Sequence, residues 1–420
     1  MSFRKRNADQ QPKLPSGSKL SAYNGQLLIS TGAPSLDDIL GGGLPVGTIL
    51  VIKEDRATTY AQLLLKYFVA QGIASKQHCV LVSKDDDPVE MTRQLMWLAS
   101  SEADLDDDDE HVKTKTSSDN DRMKIAWRYS HLKKFDTSVN AKPAPPPVQK
   151  PKDAHTKSNE PAPFCSLFDL TKRIPDAVLE EADLTTIDPS LDPLNNSDTD
   201  EYLDLLHRLR KIVLEGQFSS AVPVPPGTSR QALRIAIHSL ASPNWQTKSP
   251  HDVCKFFQAL RGLLRFSFGA AVITLPAYLY EEVPNYVRRV EHLADAVLEI
   301  ESFAGSSKHN DQPYTQTYHG FFHVHKLPVL NSLLPPSTKL SVLSGGGAND
   351  LAFKLRRKRF AIETFHLPPE GGVTTRRTDP PPSKPTPQPQ TSKQSAKGSF
   401  QKRPPGFGCG LPGKQDPLEF

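Results

Sequence analysis

A glycine-dense approach, Ser30-Thr-Gly-Ala-Pro-Ser-Leu-Asp-Asp-Ile-Leu-Gly-Gly-Gly-Leu-Pro-Val-Gly47, runs into the apolar stretch Thr48-Ile-Leu-Val-Ile-Lys53 and then into Glu54-Asp-Arg-Ala-Thr-Thr-Tyr-Ala-Gln62. A strand, a turn and a helix in that order can hold phosphate. Backbone N–H groups of a glycine-rich turn and a lysine close on the anion at the helix N-terminus. This turn has no glycine, Glu54 and Asp55 stand where the phosphates would lie, and Tyr60 or Ala61 takes the lysine's place. An anion there meets charge repulsion and lacks its main cation. Thr58 and Thr59 remain available as helix caps. Glu54, Asp55, Arg56, Thr58 and Thr59 therefore read as a degenerate phosphate loop or as an ordinary strand-to-helix turn.

A catalytic site of that kind also needs a carboxylate for Mg²⁺ at the end of an apolar strand. The run Leu233-Arg-Ile-Ala-Ile-His-Ser-Leu240 supplies none, and Ser239 falls near the position. Two missing parts argue against a self-sufficient ATPase more strongly than either alone. Elsewhere, Lys354-Leu-Arg-Arg-Lys-Arg359 lies inside the apolar, strand-like stretch from Phe353 to Phe365. Such a cluster supplies phosphate contacts and salt-dependent RNA affinity. Lys354, Arg356, Arg357, Lys358 and Arg359 are thus candidates for RNA contact; the alternatives are pairing with acidic groups across a subunit interface or solvation of a strand edge. Arg288-Arg289 carries a weaker form of the same ambiguity. His319, His323 and His325 alternate without a nearby cysteine or carboxylate, a poor zinc pattern. Cys254 beside Phe256 and Phe257 reads as a small core residue, and Trp245 as a packing anchor. No nucleophile–base spacing is present, so no catalytic residue, metal or cofactor is nominated.

The elements that would position these residues alternate. Thr48–Lys53, His78–Ser83, Leu233–Leu240 and Ala270–Leu275 are short buried-strand patterns. Between them, Thr58 to Gly72, Pro88 to Ala99, Glu201 to Gly216 and Pro250 to Arg265 show helical spacing, with Gly72 expected as a stop and Ser249 as a cap. This order predicts an α/β fold, a mostly parallel sheet with helices on both faces.

Only 37% of the 420 residues are hydrophobic and 38 are prolines, so a core cannot run the whole length. Residues 1–25 read as a polar leader and 26–100 as a first ordered part. Residues 101–163, with the acidic run Glu102 to Glu110 and a Pro-rich stretch, read as a mostly disordered insertion interrupted by a short periodic piece, 123–135. A second ordered part is expected at 164–370 and a Pro-rich tail at 371–420. The net charge of +4 permits nucleic-acid contact without requiring it. No apolar run approaches a membrane span, no secretory signal is visible, and four scattered cysteines suit a reducing compartment, cytosol or nucleus.

The lead-in Ser-Leu-Asp-Asp-Ile-Leu-Gly-Gly-Gly-Leu-Pro-Val-Gly47 resembles that of RecA/KaiC-type ATPases. Together with Arg234 to Trp245, Leu260 to Arg265, Ala271 to Pro276, His319 to Leu333 and above all Leu351 to Glu370, it resembles the fourth subunits of the Elongator complex, the Paxneb family. The likeness spans both ordered parts. It implies a RecA-like P-loop fold without functional Walker A or Walker B motifs, and a hetero-hexameric ring with the fifth and sixth subunits. It further implies that the ring joins the catalytic subcomplex and binds tRNA. The whole complex then installs carboxymethyl-type groups on wobble uridine, with the chemistry held by another subunit. Two other classes stay open: an ATPase ring with a composite site between subunits, and a transcription elongation or chromatin adaptor.

Overall fold

The computed structural model describes residues 14–100, 162–190, 200–223, 230–305, 313–330 and 351–366. Most of the proposed insertion, the periodic piece at 123–135 and the tail lie outside these residues. The proposed leader does not stay wholly unstructured. Its residues 18–20 form β1 (Ser18–Leu20), which pairs antiparallel with β2 (Leu27–Ile29). After β2, α1 (Pro34–Ile39) leads to β3 (Leu44–Pro45), which closes a three-stranded sheet against β2.

The main sheet is built by alternation. Along the chain follow β4 (Ile49–Lys53), α2 (Tyr60–Ala74), β5 (His78–Val82) and α3 (Pro88–Arg93). The helix expected to run from Pro88 to Ala99 stops at Arg93, and β6 (Met96–Leu98) pairs antiparallel with β7 (Phe168–Arg173). The hydrophobic spacing of Met91, Leu95 and Leu98 suits one helical stripe, but pairing with a partner some seventy residues away overrides it. Next come α4 (Asp176–Glu181), β8 (Leu184–Ile187), α5 (Glu201–Glu215), β9 (Leu233–Ile237), α6 (His251–Arg265) and β10 (Gly269–Leu275). The sequence closes with α7 (Pro284–Leu293), β11 (Ala296–Ser302), β12 (Gly320–Lys326), β13 (Leu351–Leu355) and β14 (Phe360–Thr364).

Nine strands form one mixed sheet in the order β14-β13-β12-β11-β4-β10-β9-β5-β8. From β11 to β8 all neighbours are parallel, whereas β12, β13 and β14 extend the sheet as an antiparallel meander. Strands from before and after the 101–163 segment interleave: β4 lies between β10 and β11, and β5 between β8 and β9.

Side chains alternate across the strands, so the sheet has two apolar faces. Leu50, Ile52, Leu81, Ala236 and Val272 pack with Leu64, Leu65, Phe68 and Val69 of α2. On the other face Ile49, Val51, Val80, Val82, Ile235 and Ile273 meet Leu205, Leu209 and Val213 of α5 and Phe256, Phe257 and Leu260 of α6. Helices therefore cover both faces, as the alternation predicts. Gly72 is not the stop of α2, which runs on to Ala74. A Cβ there would lie 2.3 Å from Cys79 Sγ and 2.5 Å from Arg234 Cδ, so the glycine serves close helix–sheet approach. The first residue of α6 is His251, with Pro250 at the cap and no side-chain cap bond.

Candidate functional site

The expected phosphate turn lies at the C-terminal end of β4, in the middle of the parallel strands, where open α/β sheets bind ligands. Its own groups occupy it. Asp55 folds back on the turn, its Oδ1 accepting from Thr58 Oγ1 at 2.6 Å and its Oδ2 from the Ala57 N–H at 3.2 Å. Thr59 holds the cap position of α2 without a side-chain hydrogen bond, so neither threonine caps the helix as expected. Tyr60, at the lysine's place, turns to the aromatic side chains of the meander. Its ring meets Phe353 edge-on at 5.0 Å and lies 6.4 Å from Phe360. Ala61 is buried. Arg56 is exposed.

Glu54 points the other way, toward the ends of β9 and β10. Ser239 Oγ approaches its Oε2 at 3.5 Å, and Oε1 is buried without a hydrogen-bond partner. Burial pushes the Glu54 carboxyl up to about 7, and the Asp85 and Asp55 charges add to this against hydrogen bonding from Thr274 and Ser239. Ser239 itself, the residue near the expected metal carboxylate, has φ 48° and donates its N–H to Thr274 Oγ1 at 2.7 Å. Trp245 is an anchor as expected: buried, stacked on Tyr202 at 5.3 Å, with Nε1 donating to Ser239 O at 3.2 Å.

Beside the turn, the C-terminal ends of β4, β10 and β11 open into a cleft of about 620 Å³. The 3₁₀ turn Ala277–Tyr280, α7 and the stretch Ser302 to Gly305 form its other walls. Gly305, at φ 75°, comes so close that a Cβ would sit 3.3 Å from that of Ala57. On the cleft floor Lys53 Nζ bridges Glu291 Oε1 at 3.1 Å and Glu299 Oε2 at 2.7 Å. Burial pushes Glu299 up, but His325 and Lys53 together pull it down to about 2. The β12 histidines do have carboxylate neighbours, contrary to expectation. His323 pairs with Glu301 at 2.7 Å and His325 with Glu299, both glutamates standing on β11. His319 instead accepts the Leu355 N–H at Nδ1 at 3.2 Å. Among the described residues no group of three or more His, Cys, Asp or Glu side chains is placed to hold a metal. Cys254 is half-buried, and burial raises its pKa.

The basic cluster is not inside a strand. Lys354 belongs to β13, and Arg356 to Arg359 make the turn to β14, closed by the Arg356 N–H on Arg359 O at 2.9 Å. Arg357 is exposed, whereas Lys354, Arg356, Lys358 and Arg359 are half-buried. Lys354 pairs with Glu363 at 2.6 Å and lies 4.7 Å from the Tyr318 ring centre. The Leu170 N–H donates to Lys358 O at 2.9 Å, which ties the turn to β7. Arg288 and Arg289 are exposed on α7, and Arg288 lines the cleft.

One buried ionic cluster escapes motif reading. Arg234 on β9 is 1% exposed, donating Nε to Gln77 Oε1 at 2.6 Å and one guanidinium nitrogen to Ser30 O at 2.7 Å, and lying over the Phe68 ring. Burial lowers its pKa to about 10. Burial likewise raises Asp37, which accepts from Thr31 N–H and Oγ1, both at 2.7 Å, and from Ser30 Oγ. The only sequence signal is a lone arginine in an apolar strand.

Family comparison matches the PAXNEB protein model over residues 10–403. The chain is 36% identical to Elongator complex protein 4 of Xenopus laevis over 90% of its length and 88% of that protein. It is 34% identical to Elongator complex protein 4 of Homo sapiens, covering 88% and 84%, and 35% identical to that of Mus musculus, covering 86% and 82%.

Proposed function

The chain belongs to the PAXNEB protein family, and on that premise we propose that it is a non-catalytic subunit of the Elongator complex. In this reading it keeps a RecA-like variant of the α/β plan for its surfaces and has lost the Walker A and Walker B chemistry. It forms a hetero-hexameric ring with the fifth and sixth Elongator subunits. The ring binds tRNA and serves carboxymethyl-type modification of the wobble uridine in cytoplasm and nucleus, while another subunit performs the reaction.

One observation carries the reading: the turn after β4 is filled from within. Asp55 takes the turn's hydroxyl and N–H donors, Tyr60 is packed against Phe353, and a buried carboxylate faces the space a metal-bound phosphate would need. A fold can retain its interfaces while discarding a site. The exposed Arg357 and its half-buried neighbours on the β13–β14 turn are the RNA-facing candidates.

The test is tRNA binding by the chain assembled with the fifth and sixth subunits. Glu54→Gln and Asp55→Asn are expected to leave affinity unchanged, and Arg356→Gln with Arg357→Gln to lower it. If the assembly binds no tRNA, the RNA role fails. If it hydrolyses ATP and a single arginine change in this chain abolishes that, a composite ATPase replaces this reading.

A further inference from the structure

The cleft beside the turn has a chemistry of its own. Six carboxylates line it, Glu54, Asp55, Glu281, Glu291, Glu299 and Glu301, against three cations, Lys53, Arg56 and Arg288. Lys53 is already neutralised by Glu291 and Glu299. Arg56 and Arg288 are exposed. What faces the interior is therefore negative, and at its inner end the buried Glu54 Oε1 has no partner. A phosphorylated ligand is repelled by this lining. A metal ion is disfavoured because no three ligating side chains converge among the described residues.

Two further features select the kind of cation. Tyr278 is half-buried in the cleft wall, a flat face on which a guanidinium can stack. Tyr280 is fixed beside it by its hydroxyl on Ala241 O and by its ring against Tyr286 at 4.8 Å. Just outside, Leu279 and Val283 are 45% and 57% exposed on the segment that forms this wall. Large apolar side chains beside a polar cleft are what a polypeptide partner covers. A small free amine would leave them wet.

We infer that this cleft receives a cationic side chain, an arginine or lysine carried in by an adjoining polypeptide subunit. The cation meets Glu54 at the inner end and Glu281 and Glu301 nearer the mouth, and its carrier covers Leu279 and Val283. The supplier of the side chain rests on the assembly reading above; the cleft's preference for a cation does not.

The experiment is an NMR titration of the full chain with N-acetyl-arginine amide, N-acetyl-glutamine amide and Mg-ATP. The arginine probe is expected to give saturable shifts at Ala57, Tyr278 and Gly305 that the glutamine probe does not. Glu54→Gln and the surface change Glu281→Lys should each weaken it about tenfold, the loss of one partly buried charge pair. No saturable shift, equal response to both amides, or tighter occupation of the same residues by Mg-ATP overturns the inference. Undiminished binding in both variants does so too. Assembly with the other subunits by a chain that ignores the arginine probe sinks the inference alone. Arginine binding by a chain that recovers no Elongator subunits sinks the assembly reading and leaves the cleft's selectivity standing.

Discussion

At the scale of single residues, the two buried charges make opposite predictions. Glu54 is held near 7 instead of its ordinary 4.5. Between those values the unfolded chain has released this proton and the folded chain still holds it, so the group's contribution to stability falls as pH rises. Glu54→Gln is therefore expected to raise stability above pH 7 by at most about 3 kcal/mol and to flatten urea-denaturation midpoints across that window. A variant less stable than the parent at high pH would mean that Glu54 has a partner in the folded chain. Arg234 behaves differently because its partners are buried with it. Arg234→Ala leaves the carbonyls of Ser30 and Phe68 and the Gln77 amide oxygen unpaired and Asp37 without its nearby positive charge. The expected loss is about 3–5 kcal/mol, read from the same denaturation curves. Neither residue stands out in the sequence, since a pKa shift and a buried ion cluster arise only when distant strands meet.

Elements were legible where periodicity was enough. β4, β5, β9 and β10 and the helices α2, α5 and α6 lie where short apolar runs and helical stripes place them. Signals failed where a local pattern met a long-range constraint. Met96 and Leu98 continue a helical stripe yet pair with β7. Arg356 to Arg359 turn the chain with no glycine, proline or asparagine to mark the turn, so the cluster reads as strand. Gly72 looks like a helix stop because its close neighbours, Cys79 and Arg234, come from other elements. That contact is testable. Alanine is the better helix former by about 1 kcal/mol, yet Gly72→Ala should destabilise the fold by about 1–3 kcal/mol, because the new methyl overpacks against β5 and β9. A more stable variant would show that the helix can move away. On the hairpin, Arg357→Gln should lower the salt slope of tRNA binding by about one unit. Lys354→Gln should change it less, since Lys354 already pairs with Glu363.

For the molecule as a whole, the sheet order explains why the candidate site looks as it does. The meander β12-β13-β14 is added on the β11 side, and its Phe353 and Phe360 pack against Tyr60 at the start of α2. The lysine position of a phosphate loop has thus become part of the core that joins the meander to the parallel strands. Loss of the site and gain of the extra sheet are one structural fact, which sequence motifs register only as a missing lysine. The outer edge is protected as well. Outward N–H groups of β14 at Phe360 and Ile362 donate to Tyr67 Oη and Ser35 Oγ at 3.3 and 3.1 Å, so α1 and α2 cap a strand that would otherwise invite pairing. Contact with partners is then expected away from this edge, at the acidic cleft and the basic turn. The most direct measurement is purification of the tagged full chain from cells, with the recovered proteins identified and quantified. The account predicts the fifth and sixth Elongator subunits in amounts comparable to this chain, together with the catalytic subcomplex. Recovery of the chain without other Elongator subunits would contradict it.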